Sequence, residues 1–89
     1  MKIIRLDIGQ MADKAALHDY LAQVLELPAY YGKNLDALYD CLTEISQPLT
    51  LVLPAAALKA DYLNGYGAQL AETMQDAASE NENLKIIVE

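Results

Sequence analysis

The stretch Leu49–Leu53, "LTLVL", decides how this chain folds. It is nearly all apolar and β-prone, and a strand that does not alternate apolar with polar residues reads as a central one, covered on both faces. Pro54 ends it, because proline has no backbone N–H to carry the ladder onward. Two further strands flank it at a distance. Lys2 to Ile8 alternates apolar and polar residues at Ile4, Leu6 and Ile8, and "LKIIV", Leu84 to Val88, is apolar again. The segments between these strands have helical spacing, and parallel neighbours require crossovers of that kind. The expectation is an α/β fold, a small three-stranded parallel sheet packed with about four helices, in a single domain over residues 1–89.

The first helix starts at Asp13, a plausible N-cap, and buries Leu17, Tyr20, Leu21, Val24 and Leu25, with Pro28 closing it. The loop "PAYYGK" follows, with Gly32 able to take a positive φ. Asn34 caps a second helix whose Leu35, Leu38, Leu42 and Ile45 recur at the three- and four-residue steps of one buried face. "AAALKADYLN", residues 55–64, reads as a short third helix stopped around Asn64 and Gly65. A longer fourth helix runs from Gly67 or Ala68 to about Glu80, with Leu70, Ala71, Met74, Ala77 and Ala78 inward.

The 89 residues carry six Lys and Arg against thirteen Asp and Glu, a net charge of −7. That balance argues against binding nucleic acid or an anionic membrane, and it favours a cationic partner. The single cysteine, Cys41, cannot close an intrachain disulfide, so the fold rests on packing and suits a reducing cytoplasm. "MKIIRLDIGQ" lacks the apolar core of a secretory signal, and no stretch is long enough to cross a bilayer. Met1 reads as the initiator.

The distribution of charge is more telling than its sum. No Lys or Arg stands between Lys33 and Lys59, yet Asp36, Asp40 and Glu44 do; none stands between Lys59 and Lys85, where Asp61, Glu72, Asp76, Glu80 and Glu82 fall. At about 100° per residue, Asp36, Tyr39, Asp40 and Thr43 form one narrow stripe, opposite the buried leucines. Asp36 is favoured locally, since an acid in the first turn complements the helix dipole. Asp40 has no such reason: it sits mid-helix and opposes Asp36 at about a few tenths of a kcal/mol. Glu44 lies at the unfavourable end of the dipole, four residues further on. A solvated polar face would account for one such residue more easily than for three.

The remaining candidates have bland readings. Tyr31 is assigned to packing and Tyr30 to contact. His18 falls on the polar side of the first helix, with no neighbouring ligand for a metal. Cys41 adjoins the buried stripe as a small hydrophobe, Met11 and Met74 fill gaps in the core, "NGYG" at residues 64–67 is a turn between helices, and "SENEN" at residues 79–83 is a solvated turn.

"LPAYYGKNLDALYDCLTEI", Leu27 to Ile45, resembles the core motif of the barstar family, intracellular inhibitors of barnase-type ribonucleases. The family pattern is Pro-x-Tyr-Tyr-Gly-x-Asn-Leu-Asp-Ala-Leu-x-Asp-Cys-Leu-Thr, and the match runs over most of the stretch from Leu27 to Thr43. Weaker similarity extends along the whole chain: Leu17–His18, the central apolar strand, Asn64–Gly65 and the last strand. The resemblance implies a barstar-like fold and a protein that is not an enzyme, requires no cofactor, and binds a basic extracellular-type ribonuclease one to one. Its acidic helix and preceding loop would occupy the cationic, phosphate-holding active site. Asp40 would be the central anchor, making charge-assisted hydrogen bonds to active-site cations, and Asp36 would pair with a neighbouring base. Tyr30 would add an aromatic contact, Gly32 and Asn34 would present backbone and amide groups at the rim, and Thr43 a hydroxyl. Asp76 matches a position where the family has a second acidic contact, as Glu. Leu35, Tyr39 and Glu44 complete the partner-binding set.

The resemblance also implies electrostatic steering, of which barnase and barstar are themselves the standard example, and a free protein that is a cytoplasmic monomer. The chain departs from the pattern at Tyr39 and Ile45, where the family has Trp, at Lys33, where it has an acid, and at Glu44, where it has Gly. These changes fall at the rim and leave the choice of ribonuclease open. Two other readings of the acidic stripe stand beside inhibition. One is a non-inhibitory binding module of the same fold, docking on another cationic protein. The other is an enzyme using Asp36 and Asp40 as acid and base or as Mg²⁺ ligands, disfavoured because no further acid, His or Gly-rich phosphate loop converges on them.

Overall fold

A computed structural model describes residues 2–89; Met1, read as the initiator, lies outside the described residues. Three parallel strands, β1 (Lys2–Arg5), β2 (Leu49–Leu53) and β3 (Leu84–Val88), form one sheet in the order β1-β2-β3. Leu51 of the central strand pairs with Ile4 on one side and Ile86 on the other. Three α-helices make the crossovers: α1 (Lys14–Val24) and α2 (Leu35–Thr43) between β1 and β2, and α3 (Tyr66–Glu80) between β2 and β3.

All five residues of β2 are buried, but its two faces are buried differently. On one face Leu49, Leu51 and Leu53 join Leu6 and Leu84 in a core completed by Leu17, Leu21, Leu38, Leu42, Leu70 and Met74 from the helices. On the other, Thr50 and Val52 sit among Ile3, Arg5, Lys85, Ile87 and Glu89, all exposed. There the flanking strands shield β2, and an Arg5–Glu89 ion pair joins the two edges. The expected cover on both faces therefore holds for burial, with the helical core on one face only.

Local chemistry explains where the helices begin. The Asp13 carboxylate accepts from the Ala16 N–H at 2.8 Å to start α1, and Asn34 Oδ1 accepts from the Ala37 N–H at 2.8 Å to start α2. The end of α2 is held from a distance. Asn81, the residue after α3, is buried, and its amide donates to the Leu42 and Ile45 carbonyls at 3.0 and 2.9 Å. It adds a side-chain donor at the C-terminal end of α2 and just beyond it, where intrahelical partners run out.

The structure corrects several expectations about the elements. β1 stops at Arg5 instead of reaching Ile8, because Asp7 turns the chain by accepting from the Gly9 N–H at 2.9 Å and begins a 3₁₀ turn, Ile8–Gln10. The short helix expected over residues 55–64 is instead two 3₁₀ turns, Ala55–Leu58 and Tyr62–Gly65, so the described residues contain three α-helices. Lys59 between them is extended, and Leu63 and Asn64 are left-handed, with φ 48° and 55°. "SENEN" is part of the fold, since Asn81 within it is buried. His18 lies inward, 3% exposed, and not on a polar face.

Gly67 marks the closest approach of backbones. A Cβ there would lie 1.9 Å from the Ala57 carbonyl oxygen and 2.5 Å from the Tyr62 ring, so only glycine lets α3 start against the Ala55–Leu58 turn.

Candidate functional site

α2 is amphipathic in the sense the sequence suggests. Leu38 and Leu42 are fully buried, while Asp36, Asp40 and Glu44 are exposed. Leu35, Tyr39 and Thr43 are half-buried, and Leu35 and Tyr39 pack against the core with part of their surface. The Thr43 hydroxyl donates to the Asp40 carbonyl at 2.9 Å, which ties it to its own helix. Ion pairs among the described residues join Arg5 to Glu89 and Lys33 to Asp19; they engage none of Asp36, Asp40 and Glu44. The three acids of this helix face solvent with no basic partner among those residues.

The loop before α2 splits its two tyrosines. Tyr31 is 7% exposed and belongs to the core, whereas Tyr30 is 85% exposed. Two hydrogen bonds set the geometry: the Tyr31 N–H donates to the Pro28 carbonyl at 2.9 Å, and the Asn34 amide donates back to the Gly32 carbonyl at 3.2 Å. The left-handed residue here is Lys33, φ 54°, and not Gly32, contrary to expectation. Gly32 is explained by crowding, since a Cβ on it would meet the Asn34 amide nitrogen at 3.3 Å and the Ala37 Cβ at 3.4 Å. Lys33 accepts its left-handed backbone while its ammonium holds Asp19 of α1 at 2.8 Å.

Loop and helix enclose a shallow hollow of about 290 Å³, lined by Tyr30, Tyr31, Gly32, Ala37, Asp40, Cys41 and Glu44. It brings together four of the expected contact residues: Tyr30, Gly32, Asp40 and Glu44. Leu35, Asp36, Tyr39 and Thr43 belong to α2, Asn34 caps that helix, and Asp76 is exposed on α3 and does not line the hollow. Cys41 lies half-buried on its floor, its thiol pushed up by burial and then by the charges of Glu44 and Asp40. A thiol held in its neutral form there is a weak nucleophile, so the hollow offers negative charge, an aromatic ring and backbone groups.

Behind the loop the structure reveals a residue that the spacing of the sequence placed wrongly. His18 bonds Tyr31 Oη through Nδ1 and Tyr66 Oη through Nε2, each at 2.6 Å. Its partners lie 13 and 48 residues away, so no local pattern marks it. Among the described residues, no group of three or more His, Cys, Asp and Glu side chains is arranged to hold a metal ion, and no helix is long and apolar enough to cross a membrane.

Residues 1–89 match the family model described as "Barstar (barnase inhibitor)". A protein of Bacillus subtilis (strain 168), described as "Putative ribonuclease inhibitor YrdF", is 41% identical over 91 residues, covering 100% of both chains. With the motif of α2, the three-stranded parallel sheet and a match along its whole length, this chain belongs to the barstar family.

Proposed function

We propose that the chain is a ribonuclease inhibitor and not an enzyme: a single-domain cytoplasmic protein, monomeric when free, that binds a basic secreted ribonuclease one to one. α2 and the loop before it cover the enzyme's active site, with Asp40 at the centre taking charge-assisted hydrogen bonds from the cations that would otherwise hold phosphate. Asp36 pairs with an adjacent base, and Tyr30 lies against the enzyme surface. Gly32, Asn34, Leu35, Tyr39, Thr43 and Glu44 complete the contact, and Asp76 adds a second acidic contact from α3. No cofactor takes part, nucleic acid is not bound directly, and the membrane is not involved.

The observation that carries this reading is the exposed acidic side of α2, without a basic partner among the described residues, beside a tyrosine that is 85% exposed. Carboxylates that cost stability in the free chain are answered by cations in the complex. The experiment is RNA cleavage by a panel of basic ribonucleases, barnase among them, with and without the purified chain. Stoichiometric inhibition of at least one supports the reading. Failure on all of them, together with capture of a basic protein that is not a nuclease, would favour a docking module of the same fold.

A further inference from the structure

The contact surface of α2 accounts for the exposed residues of the loop but not for the buried ring behind it. His18 is 3% exposed, and both of its ring nitrogens are engaged, one by Tyr31 of the loop and one by Tyr66 at the start of α3. The next residue of α1, Asp19, holds Lys33 of the same loop from outside. Two consecutive residues of α1 thus grip loop residues 31 and 33, and Tyr30 and Gly32, on either side of Tyr31, line the hollow with it.

The protons of this cluster have one economical arrangement. Tyr31 is buried and Tyr66 is partly exposed. Each hydrogen has a place if the Tyr31 O–H donates to Nδ1 and the Nε2–H donates to Tyr66 Oη. A second proton on the ring makes Nδ1 a donor as well, and the Tyr31 hydroxyl must then turn its hydrogen into a buried setting. The anchor of the loop therefore depends on a neutral ring.

We propose that His18 is a positioning residue for the partner-binding loop: its neutral ring holds Tyr30 and Gly32 at the hollow through Tyr31, and its protonation loosens the loop. The consequence for affinity, weaker partner binding in acid, rests on the inhibitor reading above; the grip itself does not. The groups acting on the ring are Asp19 on α1, Tyr31 on the loop with Lys33 paired to Asp19 beyond it, and Tyr66 on α3, over whose own ring Lys14 Nζ of α1 sits 4.5 Å from the centroid. Cys41 of α2 reaches the cluster through Tyr31. Burial lowers the imidazole below its ordinary range and Asp19 opposes this only in part, so the ring is neutral near neutral pH.

The test is amide hydrogen exchange on the free full-length chain from about pH 8 to about pH 5, the interval in which histidine changes charge. In the wild type the protection factor of the Tyr31 amide should fall about five- to tenfold toward acid, the loss of one buried hydrogen bond, while that of Leu38 in α2 does not change. Tyr31→Phe should show low protection at every pH. His18→Gln, whose amide donates and accepts but does not titrate, should restore protection and abolish its pH dependence. Protection of Tyr31 that is independent of pH in the wild type, or an acid loss that survives in Tyr31→Phe, overturns the proposal. Affinity for barnase, measured over the same range, should weaken toward acid for the wild type more than for His18→Gln. Equal acid dependence in the two overturns the link to affinity, whereas no binding by the wild type counts against the inhibitor reading and leaves the grip to the exchange result.

Discussion

At the scale of single residues, Asp40 is the centre of the proposed contact. It has no cap to form, no cation beside it among the described residues, and a like charge one turn away in Asp36. Asp40→Ala should leave the thermal midpoint unchanged or slightly raised, while affinity for the target ribonuclease falls by about 3–5 kcal/mol, the cost of leaving a buried partner cation unpaired. Glu82→Ala and Glu89→Ala, measured by the same titration, should each cost less than about 1 kcal/mol, since Glu89 has only an exposed pair with Arg5 and Glu82 is exposed. His18 behaves in the opposite way, tied to the fold and silent at neutral pH. Its lowered pKa means that the neutral ring contributes its full stability above the ordinary value of 6.5, and that this contribution is lost as pH falls below it. Urea titrations at several pH values should show an acid loss of stability in this window that His18→Gln reduces.

Among the elements, the helix ends show what a sequence can and cannot reveal. Asp13 and Asn34 are legible as caps because each bonds a backbone N–H three residues away, and the buried leucines of α2 are legible because their spacing repeats. Asn81 is not legible, since the carbonyls it bonds, at and just past the end of α2, lie 36 to 39 residues earlier. The same holds for His18 and its two tyrosines. The two 3₁₀ turns were hidden by an alanine-rich composition that favours helix, overridden by the extended Lys59 and by the contact of Gly67 with Ala57. At the hollow, the exposed acids of α2 could be read from charge and period, and Tyr30 and Gly32 only through the family motif. Two substitutions probe these long-range supports. Asn81→Ala should cost about 2 kcal/mol in chemical denaturation, by removing the buried amide that bonds carbonyls at and just past the end of α2. Gly67→Ala should cost about 3 kcal/mol, because the neighbour it meets is backbone and cannot turn aside.

For the whole molecule, the sheet has its helical core on one face, and the acidic helix and its loop form a separate exposed surface, so partner contact need not disturb the core. A chain of net charge −7 that meets a basic enzyme should associate rapidly at low salt and more slowly as salt screens the attraction, with dissociation changing little. Stopped-flow association at a series of ionic strengths checks this. The central claim is that the acidic side of α2 closes a ribonuclease active site, and its most direct measurement is RNA cleavage by a basic ribonuclease titrated with the wild-type chain and with Asp40→Ala. Activity should fall linearly to zero at one equivalent of wild type and persist at the same concentration of the folded variant. Equal inhibition by both chains, or none by the wild type against any basic ribonuclease tested, would contradict it.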